Sequence, residues 1–172
     1  MPGMFFQALL SGVLLITLFN ASASEADFTN PEFACSLLSD HRLRTSGWSK
    51  RLAGQQYECR SHYREFLTSG RLKNRIRYIA HGSVDLVNML RLELQIRARR
   101  DVQRAHRHLL EYTSIILDKI LDAEVPDDMK DAILAGIKGD WHLKTVTLSL
   151  SRFSLDNALY ELHLTIYPGT KP

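Results

Sequence analysis

Arginine is the residue type this chain spends most unevenly, and its spacing is where chemistry would first be sought. From Arg42 to Arg107, sixteen Lys or Arg stand against five Asp or Glu, a net of +11. Residues 24–41 and 108–172 each carry a net of −4, which leaves the whole chain at +3. Guanidinium groups hold carboxylates and phosphates through paired N–H donors, so such a run bears on partners rather than on fold. Arg100, Arg104 and Arg107 recur at i, i+4 and i+7 on a predicted helix. Arg91 and Arg97 alternate out of the strand predicted before it, and Arg75 and Arg77 belong to that strand's predicted neighbour. Together they predict a surface facing an anionic glycan, a lipid phosphate headgroup or an acidic protein. The competing reading is a solvated sheet face whose arginines pair locally, with Glu93 available and Arg107 and Glu111 at helical spacing. The acidic remainder also allows a homodimer in which one molecule's basic face meets another's acidic end. Nucleic acid is not an expected partner, because no aromatic platform interleaves with the bases.

Catalytic arrangements are sparse. Asp118 and Asp122, four apart on a predicted helix, would share one face, as a small cell-wall hydrolase would need for acid and base work. Two acids so placed are also what a solvated helix surface presents. His106 and His108 are two apart on the same helix and diverge by about 200°, so they cannot share a metal. His142 and His163 fall on different predicted strands. The sequence has no Gly-x-Ser-x-Gly elbow, His-Glu-x-x-His pair, phosphate-cradling glycine loop or calcium loop. A non-enzymatic protein without metal or cofactor is therefore expected. Trp48 and Trp141 could flank a groove, but a packing role is the ordinary use of the indole.

The beginning of the chain reads as an address. From Met4 to Phe19 no side chain is charged, and about 16 apolar residues fall short of the ~20 that span a bilayer as a helix. Ala21-Ser22-Ala23 follows, the small-x-small pattern of a signal-peptidase site. Cleavage after Ala23 is expected to leave one soluble domain, residues 24–172, with no stable transmembrane segment, in the periplasm or secreted. A retained anchor is the alternative. Cys35 and Cys59 are the two cysteines of the chain, and an oxidising compartment would join them. Two buried thiols are the competing possibility.

These residues must be positioned by a small set of elements. Asn30 and Pro31 suit the start of a short helix bearing Phe33, Cys35, Leu37 and Leu38. Residues 56–61 look extended, with Tyr57 and Cys59 on one side, so the bridge would pin the first helix to the first strand. Ile76, Tyr78 and Ala80 alternate, His81-Gly82-Ser83 is turn chemistry, and Leu90, Leu92, Leu94 and Ile96 alternate over a longer stretch. Period two implies one buried and one wet face, and hence an antiparallel sheet. Val102, Ala105, Leu109, Tyr112, Ile116 and Ile120 follow a helical period. Pro126 opens a second helix whose inner face would be Met129, Ile133 and Ile137, with Gly139 placed to stop it. Val146 to Leu150 and Tyr160 to Ile166 alternate again, with Thr147 and Ser149 pointing outward. The expected class is α+β in the order α-β-β-β-α-α-β-β: about five antiparallel strands with two to three helices on one face.

Cys35, the run Thr45-Ser46-Gly47-Trp48 and the run Tyr57-Glu58-Cys59 resemble segments of a group of small exported bacterial proteins of uncharacterised function, over about 25 residues. The order of elements is similar to that of type III secretion chaperones, small α+β proteins that dimerise and bind unfolded segments, although those are cytosolic. Taken together, these features lead to a periplasmic binding or interaction domain with an arginine-rich face. A periplasmic inhibitor or immunity-type protein, inserting loop 45–55 or 68–74 into an enzyme's cleft, is the alternative. The cell-wall hydrolase is another.

Overall fold

A computed structural model of the chain describes residues 27–51, 55–66, 71–155 and 159–169. The expected signal segment, 1–23, lies outside these residues, as do parts of the two loops considered for enzyme inhibition. Asn30 caps the first helix as anticipated, its Oδ1 accepting from the N–H groups of Glu32 and Phe33, with Pro31 in the first turn. In chain order the elements are α1 (Pro31–Ser36), β1 (Ser49–Lys50), β2 (Tyr57–Arg60), β3 (Arg64–Glu65), β4 (Arg75–Gly82) and β5 (Val87–Ile96). There follow α2 (Val102–Leu121), α3 (Asp127–Ala135), β6 (Gly139–Leu143), β7 (Val146–Ser154) and β8 (Tyr160–Pro168).

The α+β class and the antiparallel pairing agree with the period-two segments. The sheet is larger than five strands, however: eight strands run in the order β1-β2-β4-β5-β8-β7-β6, with β3 also on β4. The extra strands β1, β3 and β6 are two, two and five residues long. Segments this short carry too few alternations to show a period, and they exist because an edge was waiting to be paired. Two meanders, β2 to β5 and β6 to β8, meet along the β5–β8 seam, where Leu92 faces Leu164. Helices α2 and α3 carry the chain from β5 to the far edge strand β6.

One sheet face is apolar, and the helices close it. Tyr78, Leu90, Leu92, Leu94, Ile96, Leu148, Leu162 and Leu164 share a buried cluster with Leu109, Tyr112, Ile116 and Ile120 of α2 and Met129 and Ile133 of α3. The disulfide Cys35–Cys59 ties α1 to β2, as the lone cysteine pair implied. Beside it the Tyr78 hydroxyl donates to the Ala34 carbonyl at 2.8 Å. The second helix stops earlier than expected. Gly136, at φ 66°, takes the left-handed conformation that ends α3, and the N–H of Ile137 bonds back to the Ala132 carbonyl. Ile137 therefore leaves the inner face and is 59% exposed, while Gly139 begins β6 instead of stopping a helix. Gly136 is also needed for space, because a Cβ there would lie 2.7 Å from Cε1 of the buried His106.

Candidate functional site

The other face of the sheet is polar. Arg75, Arg77, Ile79 and His81 of β4 stand opposite Gln95, Glu93, Arg91 and Met89 of β5, and β8 adds Glu161, His163 and Thr165. Alternation predicted a wet face, and here the structure corrects it: Ile79, Glu93, Thr147, Ser149 and Thr165 are all buried.

At one end this face is electrostatically closed. Tyr63 lies across it, with the Arg75 and Arg77 guanidinium carbons 4.1 and 4.5 Å from the centre of its ring. Arg75 Nε donates to Gln95 Oε1 at 2.5 Å. The Gln95 amide in turn donates to the Tyr63 hydroxyl at 3.0 Å and to Glu161 Oε1 at 2.5 Å. Arg77 forks onto Glu93 Oε2 at 2.5 and 2.6 Å. His163 pairs with Glu161 at 2.9 Å. Each guanidinium here already meets an acceptor, and burial pushes the Tyr63 hydroxyl above its ordinary pKa.

The opposite end is not closed in this way. An open cleft of about 650 Å³ is lined by Arg51, Gln56, His81, Gly82, Asn88, Met89, Arg91, Tyr167 and Pro168. On its β2 side Glu58 lies 2.5 Å from Arg60, 3.3 Å from Arg51 and 3.4 Å from His81, so one carboxylate is ringed by several bases, although its Oε2 is buried without a hydrogen bond. Arg91 is poorly matched. Its NH2 reaches the Met89 sulfur at 3.3 Å and its NH1 lies 3.7 Å from Glu93 Oε1, while its Nε is buried without an acceptor. A thioether is a weak acceptor, and a buried unmet donor costs about 1–3 kcal/mol. Burial lowers the pKa of His81; Glu58 opposes the shift, and Arg91, Arg51 and Arg60 add to it.

The β4–β5 hairpin holds this end in shape. Gly82 sits where the register shifts, and a Cβ there would come 1.9 Å from the Leu86 carbonyl oxygen. Ser83 N–H bonds that same oxygen at 2.9 Å. Trp48 clamps the tip by donating from its indole to the Val84 carbonyl at 2.9 Å, while stacking on Tyr57. Its packing role was the one expected.

The seven arginines singled out in the sequence do not form one surface. Arg75, Arg77 and Arg91 lie on the polar sheet face. Arg97 follows β5, its backbone N–H donating to Asn74 Oδ1 at 2.7 Å. Arg100 stands in the 3-10 turn before α2, and Arg104 and Arg107 are exposed on α2, which packs on the apolar face. The sheet therefore separates Arg104 and Arg107 from the strand arginines. Glu111 pairs with His108 at 3.0 Å rather than with Arg107, and His108 stacks on Phe66.

The two histidines at issue point apart. His106 is buried, with Nδ1 2.8 Å from the Leu134 carbonyl and Nε2 2.8 Å from the Tyr160 hydroxyl. Nδ1 thus donates to the carbonyl and Nε2 accepts from the tyrosine. Asp118 and Asp122 are both exposed beside a shallow hollow shared with Ser114 and Glu124. Asp122 is a helix end at φ 46°, and its N–H bonds the Asp118 carbonyl. Arg51, Glu58, Arg60 and His81 were not among the sequence candidates. Glu58 and Arg60 did alternate outward from the same short strand, and His81 keeps the parity of Arg75 and Arg77 once β4 is seen to run through Gly82. No group of His, Cys, Asp and Glu among the described residues could hold a metal, and no helix among them is long and apolar enough to cross a membrane. No protein-family model, curated protein or solved structure matches this chain.

Proposed function

We propose that this protein is an exported, non-enzymatic binding domain that takes an anionic partner on the polar face of its sheet. The observation that carries this reading is the imbalance at the cleft end of that face. Arg51 and Arg60 pair with Glu58 there, and Arg91 shares Glu93 with Arg77. An incoming anion would offer the Arg91 Nη2 group a stronger acceptor than the Met89 thioether. Export is supported by the apolar leader with its Ala21-Ser22-Ala23 site and by the Cys35–Cys59 bridge, since disulfides persist in oxidising compartments.

Binding to a heparin-type polyanion and to anionic vesicles, measured across a salt series, tests the reading. Affinity should fall as salt rises, because exposed charges more than about 10 Å apart are screened at 0.1 M. Joint replacement of Arg51 and Arg91 by Gln should weaken binding, and replacement of Arg100, Arg104 and Arg107 should weaken it much less. Binding that ignores salt, or that depends on the helix arginines instead, would overturn the assignment to the sheet face.

A further inference from the structure

We propose that the cleft beside the β4–β5 hairpin is a phosphate site, occupied by the phosphoryl group of a soluble phosphomonoester or of a lipid headgroup. This rests on the reading of the sheet face as anion-binding, and it names the place and the group.

Charge is the first reason. The ion-pair network that reaches the cleft joins Arg51, Arg60, Arg77 and Arg91 to two carboxylates, Glu58 and Glu93, an excess of two positive charges without counting His81, and Arg51 and Arg91 of that network line the cleft itself. A phosphomonoester brings about −1.5 to −2 near neutral pH, whereas a carboxylate brings half of that or little more. Donor geometry is the second reason. Arg91 and Asn88 of β5, His81 of β4 and Gln56 of the loop before β2 line the cleft, so donors come from two strands and a loop. A tetrahedral group with three acceptor oxygens can meet donors from several directions, while a planar carboxylate serves one fork. Shape is the third. The cleft is larger than a phosphate alone needs, and Met89, Tyr167 and Pro168 give it apolar walls, so the occupant carries an apolar or ring-shaped body next to its phosphate.

His81 makes the site responsive to pH. Glu58 and Arg60 of β2, Arg51 beyond β1 and Arg91 of β5 face it, and burial lowers its pKa. A bound dianion favours the imidazolium, so phosphate binding is coupled to proton uptake at His81.

The test titrates the disulfide-bonded protein with inorganic phosphate, then with phenyl phosphate and benzoate, following backbone amides by NMR. Shifts should concentrate at Gln56, His81, Asn88 and Arg91, and phenyl phosphate should bind more tightly than benzoate. Arg91→Gln should weaken phenyl phosphate at least about tenfold, equivalent to 1.4 kcal/mol, and Lys138→Gln on the far side should not. If Arg91→Gln does not fold, Arg51→Gln, at a largely exposed position, takes its place. Sedimentation with vesicles of phosphatidic acid in phosphatidylcholine separates the sources. Arginine-dependent capture assigns the lipid headgroup, and phenyl phosphate binding without capture assigns a soluble ester. Absence of phosphate-induced shifts at these residues up to about 20 mM, a very weak affinity, overturns the site, as does equal affinity for benzoate or in Arg91→Gln. If heparin still binds in that case, the broader reading stands and only the cleft falls. If no anion binds, both fall together.

Discussion

Removal of the Cys35–Cys59 bridge should cost this domain about 3.5 kcal/mol, a figure that follows from the loop it closes. The two cysteines are 24 positions apart, and the chain-entropy relation for a loop of that length gives roughly 12 cal/mol/K, or about 3.5 kcal/mol at 25 °C. Against a stability of about 5–15 kcal/mol, the loss is large and should lower Tm by on the order of 10 °C. Helix α1 has six residues, too few to persist unaided, yet it has other holds on the sheet. Tyr78 donates to the Ala34 carbonyl, Thr45 Oγ1 donates to the Cys35 carbonyl at 3.0 Å, and Leu37 and Leu38 are buried. The reduced protein should therefore remain folded with α1 docked, but at lower stability. Urea unfolding of oxidised protein, reduced protein and the Cys35→Ala, Cys59→Ala double variant separates the contributions. The first comparison isolates the crosslink, and the second adds the loss of two buried sulfurs. The urea m-value should also rise without the bridge, because the unfolded chain expands. A reduced protein within about 1 kcal/mol of the oxidised one would refute the entropic account.

Three further outcomes follow from the same geometry. His106 is held below its ordinary pKa mainly by burial, with Arg152 adding to the effect and its bond to Leu134 opposing it. Its unfolded value is about 6.5, so below that pH the unfolded chain binds a proton that the native state refuses. Stability should be fully present above about pH 6.5 and decline as the solution is acidified. His106→Asn should flatten that slope in denaturant titrations between pH 7 and 5, and an unchanged slope would dismiss His106 as its origin. Arg77→Gln leaves Glu93, 5% exposed, without its principal partner. A cost of about 1–3 kcal/mol is expected, to be read by chemical denaturation, and Glu93→Gln in the same background should restore part of it. Gly82→Ala drives a Cβ against the Leu86 carbonyl. It should disorder the β4–β5 hairpin, which is visible as loss of amide protection around residues 82–88, and full protection would show that the hairpin can shift to make room.

The residues themselves determined the strongly periodic elements. Alternation from Leu90 to Ile96 and the three-four spacing from Val102 to Ile120 are local patterns, each backed by enough repeats to leave one reading, and Asn30-Pro31 announced its helix through capping chemistry. A chain with two cysteines also left a single possible bridge. Tertiary structure alone decided the short strands β1, β3 and β6, because a two-residue strand is defined by its neighbour's free hydrogen-bonding edge and not by its own composition. It also decided that Gly136 rather than Gly139 ends α3, since both glycines stand near the close of the same apolar pattern. The same holds for the charged surface. Sequence showed that Arg75, Arg77 and Arg91 alternate outward and predicted one helix for Arg100, Arg104 and Arg107, but only the structure left Arg100 in the turn before α2 and set Arg104 and Arg107 on a helix that packs on the other face of the sheet. The cleft joins Arg51, His81, Arg91 and Tyr167 from the loop after β1 and from β4, β5 and β8. Periodicity is a property of neighbouring residues, whereas strand order and register are settled by long-range pairing, and a site built across strands becomes legible only once that pairing is made.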